Sequence, residues 1–161
     1  MISLKDFDPE ILHVRANLKL SPSSLSGYTL DSLVGDVCYS QQNIIIDSIW
    51  ANAKSLQLTA SGNYNLVGNS DLQLSAGFDD AEAFEAFIPL DSVYGQGNIN
   101  AQVSGKPDSL SLNANVELQN AGFTDISAGK LVVNATGQLT SDDTTLSATA
   151  NVEHFNAGSF E

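Results

Sequence analysis

The sequence predicts an all-β protein built from consecutive antiparallel strands, and three observations carry that prediction. Apolar and polar residues alternate with period two along nearly the whole chain, as the side chains of half-buried strands do. Turn-forming residues punctuate the alternation, as at Lys106-Pro107-Asp108 and Ser141-Asp142-Asp143, which is the chemistry of hairpin connections. A long segment, Leu110 to Gly122, recurs as Leu146 to Gly158 with most positions identical, the mark of a repeat architecture.

The elements follow in order. Leu12, Val14, Ala16, Leu18 and Leu20 alternate with His13, Arg15, Asn17 and Lys19, and Pro22 with Ser23 and Ser24 ends this first strand. Runs at 28–39 and 43–52 come next, then Leu56, Leu58, Ala60, Gly62 and Tyr64, then Leu72, Leu74, Ala76 and Phe78. One segment changes period. Phe84, Phe87 and Ile88 have helical spacing, Asp79 with Glu82 resembles a capping box and Pro89 halts the pattern, so a short α-helix is expected over 79–89. Strands resume with Ile99, Ala101 and Val103 up to Gly105, and after the turn at Lys106 with Leu110, Leu112, Ala114, Val116 and Leu118. A loop through Gly122 leads to Leu131, Val133, Ala135, Gly137 and Leu139, and the turn at Ser141 opens the last strand, with Leu146, Ala148, Ala150 and Val152.

Looser forms of the repeat stand at Leu56, Leu72 and Leu131. Residues 1–161 therefore read as one repeat-built β segment with the helix as an insertion. The last repeat runs to Glu161 without capping composition, so the array is expected to continue in a longer parent chain, of which this is an internal fragment. Such a piece would expose unpaired strand edges.

Composition narrows the function classes. Hydrophobic residues make up 42% and charged residues 16%, so the polar surface is mostly Asn, Ser, Gln and Thr, as in many extracytoplasmic β proteins. A net charge of −13, from 6 Lys and Arg against 19 Asp and Glu, argues against nucleic acid and against electrostatic docking to an anionic membrane surface. Cys38 is the one cysteine, which rules out an intrachain disulfide and a multi-thiolate zinc site. In its strand context Cys38 reads as a small buried hydrophobe. The N-terminus lacks a signal-peptide pattern and no apolar run approaches a membrane span, so any anchor is expected outside this segment.

No catalytic constellation emerges, and the chain reads as a non-enzyme without cofactors. His13 and His154 stand in no metal-binding spacing. The acidic pairs Asp79-Asp80 and Asp142-Asp143 suit a helix cap and a turn better than a Ca²⁺ site or a glycosidase dyad. Asn134-Ala135-Thr136 matches a glycosylation sequon in mid-strand. Trp50 and Tyr64 would serve as a sugar-stacking platform or, more plainly, as aromatic core or rim.

The apolar face is the remaining candidate. It is rich in small residues, among them Ala60, Ala76, Ala101, Ala114, Ala135, Ala148 and Ala150, too small to fill the gap of a broad two-sheet sandwich. Two architectures fit: a narrow folded sheet with an apolar groove, or a thin closed β-sandwich. The candidate groove residues are Leu56, Leu58, Ala60, Leu72, Leu74, Ala76, Ile99, Ala101, Val103, Leu110, Leu112, Ala114, Val116, Leu131, Val133 and Ala135.

The succession Phe84 to Leu90, Gly95 to Gly105 and Leu110 to Val116 resembles the AsmA-like superfamily, TamB-like proteins included. A short helix, an alternating strand from Gly to Gly, a turn and a second alternating strand make that family's recurring unit, and Leu33 to Tyr39 and Leu56 to Leu58 follow the same style. The resemblance implies an elongated, curled antiparallel sheet, a β-taco, spanning the periplasm of a cell envelope. It implies phospholipid acyl chains as ligands in lipid transport and outer-membrane biogenesis, with neighbouring repeats of the parent chain and an outer-membrane Omp85-type barrel as partners. Two other functions compete: a structural or adhesive β-repeat module with a dry core, and a carbohydrate-binding β-sandwich. An open apolar groove favours the first reading, a filled interior the second, and coplanar exposed aromatics the third.

Overall fold

The computed structural model describes residues 12–25, 28–81, 93–123 and 125–158. Its strands are β1 (His13–Leu20), β2 (Ser23–Leu25), β3 (Tyr28–Leu30), β4 (Ser32–Ser40), β5 (Asn43–Ala53), β6 (Leu56–Asn65), β7 (Ser70–Phe78), β8 (Val93–Lys106), β9 (Ser109–Phe123), β10 (Ile126–Thr140), β11 (Thr144–Glu153) and β12 (Asn156–Ala157). All but β2 and β3 join one ten-stranded antiparallel sheet in the order β1-β4-β5-β6-β7-β8-β9-β10-β11, with β12 continuing β11 along β10. From β4 to β11 each strand pairs with the next in sequence, so the architecture is the meander of hairpins that the turn chemistry predicts. The two ends of the order do not meet, and the curled sheet is not closed into a barrel. Apart from the β2–β3 hairpin, the described strands make a single sheet, as expected for the curled-sheet alternative.

Two local features depart from the sequence reading, and one expected element lies mostly outside the described residues. The Ser-rich stretch after Pro22 forms β2, which pairs with β3 as a separate hairpin, where a simple break was expected. Gly122 belongs to β9 and not to a loop, paired with both Tyr94 and Ser127. A side chain there would run into the Tyr94 ring, so this glycine makes room for an aromatic neighbour. The helix expected over 79–89 falls mostly outside the described residues; of it only Asp79, Asp80 and Ala81 are described, and Ala81 is buried.

The β4–β5 hairpin is tight, with Gln41 and Gln42 both at positive φ, the backbone that suits the twist of a two-residue hairpin. Further along β5 a bulge inserts Asp47: Asp36 faces Ser48 while Val37 faces Ile46. This resolves the run Ile44-Ile45-Ile46-Asp47-Ser48-Ile49, whose spacing is not strictly alternating. The extra residue shifts the phase, so Ile44, Ile46, Ile49 and Ala51 share one face. Arg15 on β1 reaches the displaced Asp47 at 3.3 Å. Both side chains are exposed, so the ion pair marks the bulge more than it stabilises it.

The sheet has little interior. Among the described residues only Phe78, Ala81 and Ala121 are buried apolar side chains, and no large side chain is fully buried. Along β8 the residues of the apolar face, Ile99, Ala101 and Val103, are half-buried, while Asn98, Asn100 and Gln102 on the other face are exposed. The apolar face is thus the more sheltered side, without a second layer of described strands across it.

Candidate functional site

Register places the candidate residues together. In an antiparallel sheet, residues paired across strands lie on the same face. One cross-strand row runs Leu20, Leu33, Ala51, Leu58, Ala76, Ile99, Val116, Val133, Ala150 from β1 to β11. The next runs Leu18, Gly35, Ile49, Ala60, Leu74, Ala101, Ala114, Ala135, Ala148, and a third runs Ala16, Val37, Ile46, Gly62, Leu72, Val103, Leu112, Gly137, Leu146. No polar side chain interrupts any of the three. Leu56 and Leu131 lie on a flanking row with Phe78, Gly97 and Leu118, and Leu110 faces Leu139 on another. All sixteen candidate residues therefore share one face.

The rows differ in height. Ala101, Ala114, Ala135 and Ala148 are consecutive neighbours across β8 to β11, flanked by Ile99, Val116 and Val133 on one side and Val103 and Leu112 on the other. This makes a furrow perpendicular to the strands, floored by methyl groups and walled by branched side chains. At about 4.8 Å per strand it extends roughly 14 Å across β8 to β11. Its lining is half-buried from β8 to β10, and Leu146 at the open end is 70% exposed.

The face also includes residues beyond the sixteen. Leu33, Val37, Ile46, Ile49 and Ala51 extend it through β4 and β5. The triple-Ile run blurred the parity of that region in the sequence, and the missing signal was Asp47, an acidic residue between isoleucines.

The opposite face is polar and carries two hollows. One, about 410 Å³, is walled by Gln73, Gln102, Asn113 and Thr136 on one side and Ser75, Asn100, Asn115 and Asn134 on the other. Its floor is the strand backbone at Leu74, Ala101, Ala114 and Ala135, whose side chains point to the apolar face. A second, about 420 Å³, lies beside it between Asn113, Thr136, Ser147 and Ser111, Gln138, Thr145. Hydrogen bonds brace the walls of the first hollow: Ser75 Oγ donates to Asn100 Oδ1 at 2.6 Å and Asn115 Nδ2 to Asn134 Oδ1 at 3.0 Å. Gln102 Nε2 donates to Asp71 Oδ1 at 2.8 Å. Among the described residues, none that lines either hollow is charged.

The remaining candidates separate. Trp50 is 60% exposed, on the polar face opposite Val34 and Thr59, whereas Tyr64 faces Ile44 on the apolar side. The bulge at Asp47 turns the indole outward, so Trp50 is neither core nor part of a platform with Tyr64. Cys38 is half-buried on the polar face between Arg15 and Ile45. His13 Nδ1 lies 2.7 Å from Ser40 Oγ, and His154 sits at positive φ where β11 gives way to β12. Asp143 serves its turn, its Oδ1 accepting from the Thr144 N–H at 2.8 Å and its carbonyl from Thr140 Oγ1 at 3.0 Å. Asn134 of the sequon is exposed within β10. Among the described residues, no group of three or more His, Cys, Asp or Glu is placed to hold a metal ion.

Compared with protein-family models, with curated proteins and with solved structures, the chain matches none.

Proposed function

We propose that this chain is a segment of an AsmA-like, TamB-like envelope protein, and that its apolar face carries phospholipid acyl chains across the periplasm toward the outer membrane. One observation carries the reading: apolar residues face one another at every step from β1 to β11 in three adjacent rows, with no large side chain among them fully buried. A folded protein ordinarily hides such a surface, and one left half-open marks a binding site. An acyl chain lying in the alanine furrow would gain about 0.8 kcal/mol for each methylene removed from water. Among the described residues the three rows offer a headgroup no charge, so chain burial dominates and the headgroup stays at the wet margin. The protein's part is passive: it supplies a continuous apolar wall, neighbouring repeats of the parent extend it, and an Omp85-type barrel would receive the lipid.

Vesicles containing a phospholipid with a diazirine in its acyl chain test this. Photolabelling followed by peptide mapping is expected to place label on β8 to β10 at Val103, Leu112 and Val133. Absence of capture, or label confined to Gln102 and Asn113 on the polar face, would overturn the reading.

A second reading has one observation in its favour. The uncharged, amide-walled hollow and the exposed Trp50 occupy the same polar face, joined by the row Trp50, Thr59, Ser75, Asn100, Asn115, Asn134. Amides, hydroxyls and an indole are the groups that bind neutral carbohydrate.

A further inference from the structure

The polar face of the sheet carries a row of residues that folding does not require. Asparagine is depleted in strands, where threonine and other branched side chains pack better. Here Asn100, Asn115 and Asn134 stand side by side at mid-strand in β8, β9 and β10, with Asn113 two positions along β9. A solvent-facing row needs only to be polar, and threonine meets that need with better strand propensity. Every strand from β5 to β10 is paired on both sides, so the row lies well inside the sheet. Poor strand formers gathered there point to a use outside folding.

The row meets only part of its own hydrogen-bonding capacity. Ser75 Oγ donates to Asn100 Oδ1, and Asn115 Nδ2 donates to Asn134 Oδ1. Among the described residues, Asn100 Nδ2, Asn134 Nδ2 and Asn115 Oδ1 have no protein partner. Neither do the side chains of Gln73, Asn113 and Thr136 on the facing wall of the hollow. A carboxamide offers two donors on its nitrogen and an acceptor on its oxygen. The two walls thus present fresh donors and acceptors at each strand step of about 4.8 Å, close to the length of one pyranose ring in an extended chain.

Charge and an indole narrow the ligand further. The chain has 19 Asp and Glu against 6 Lys and Arg, yet among the described residues no charge stands on either wall. A charged ligand finds no ion pair there, and the acidic chain repels an anionic one. Trp50 continues the asparagine row through Thr59 and Ser75 and is 60% exposed. It lies on β5, five strand steps from Asn134, or roughly 24 Å. An exposed indole offers an apolar face on which a sugar ring stacks.

We propose that the two walls form a track for an extended, neutral, N-acetylated glycan, lying across the strands from β10 to Trp50 with about one ring per strand. The acetamido group of such a sugar is a secondary amide, with one donor and one acceptor, and it pairs with a carboxamide through both. In an extended chain of equatorially linked rings, successive rings turn over, so their acetamido groups point alternately to the two walls, and both walls carry amides. The inference rests on the carbohydrate reading and names its ligand class; it is independent of the lipid reading, which concerns the opposite face.

Isothermal titration of the chain with a hexamer of N-acetylglucosamine tests it, with a glucose hexamer of the same linkage for comparison. The acetylated hexamer is expected to bind several-fold tighter than the glucose hexamer and than its own dimer, and to shift Trp50 emission to the blue. Asn100→Thr combined with Asn115→Thr should weaken that binding several-fold and leave the urea midpoint equal or higher. Trp50→Ala, which removes an exposed side chain, should weaken it by itself. Asn98→Thr, on the same face but outside the walls, should leave it unchanged. Equal binding of the two hexamers would overturn the N-acetyl assignment and leave the carbohydrate reading standing, whereas binding of neither would remove both. A double variant that binds like the parent would make the asparagine row a structural brace and overturn the inference.

Discussion

Ala114 is the residue at which an open apolar face and a dry core predict opposite results. It sits in the alanine furrow with Ala101 and Ala135 beside it across β8 and β10, and Leu112 and Val116 two positions away along β9. It is half-buried, and no described strand packs over it. Ala114→Asp should lose roughly 1 kcal/mol in strand preference and about 1 kcal/mol more from partial dehydration of the carboxylate, because water reaches that face. A total of about 2 kcal/mol lowers Tm by about 4–8 °C in a chain of this size. In a closed core the same unpaired carboxylate costs several kcal/mol and takes most of the stability of a typical domain. Ala114→Leu sharpens the contrast. On an open face it should change stability by less than about 0.5 kcal/mol, whereas overpacking a closed core costs about 1–3 kcal/mol. Thermal and urea unfolding followed by circular dichroism measure both variants. A loss above about 4 kcal/mol for the aspartate, or above about 1 kcal/mol for the leucine, would refute the open face.

Two further outcomes follow from the same geometry. Gly62 has φ +124° and its Cβ position is blocked by the backbone of Asp71, while around Gly77 there is open space. Gly62→Ala should therefore lose about 1–3 kcal/mol and Gly77→Ala should gain up to about 1 kcal/mol, read from urea midpoints; equal effects would mean that the β6–β7 register is not as described. Trp50, the chain's only tryptophan, should emit as a water-exposed indole and stay unmoved when phospholipid is bound, since it lies on the opposite face. A blue shift with a neutral oligosaccharide would favour the carbohydrate reading instead.

The sequence by itself determined the strand content, the meander of hairpins and the face of each regular strand. From β6 to β10 the sixteen candidate residues could be assigned to one face because side-chain direction in a strand is a period-two property, readable without any neighbour. The failures fall where a partner strand decides. Trp50 points outward because β4 and β6 accommodate an extra residue at Asp47, and nothing local to Trp50 says so. Gly122 looked like a turn residue because its real reason, the Tyr94 ring, comes from a strand far away in sequence. The amide-walled hollow needs Gln73, Asn100, Asn113 and Asn134 from four different strands, and their alignment is a matter of register. Above all, the alternation of a sandwich and that of a single curled sheet are the same string of letters. Only the tertiary structure decides which is built, because what covers an apolar face is set by how the chain returns in space, and period-two patterning carries no record of that.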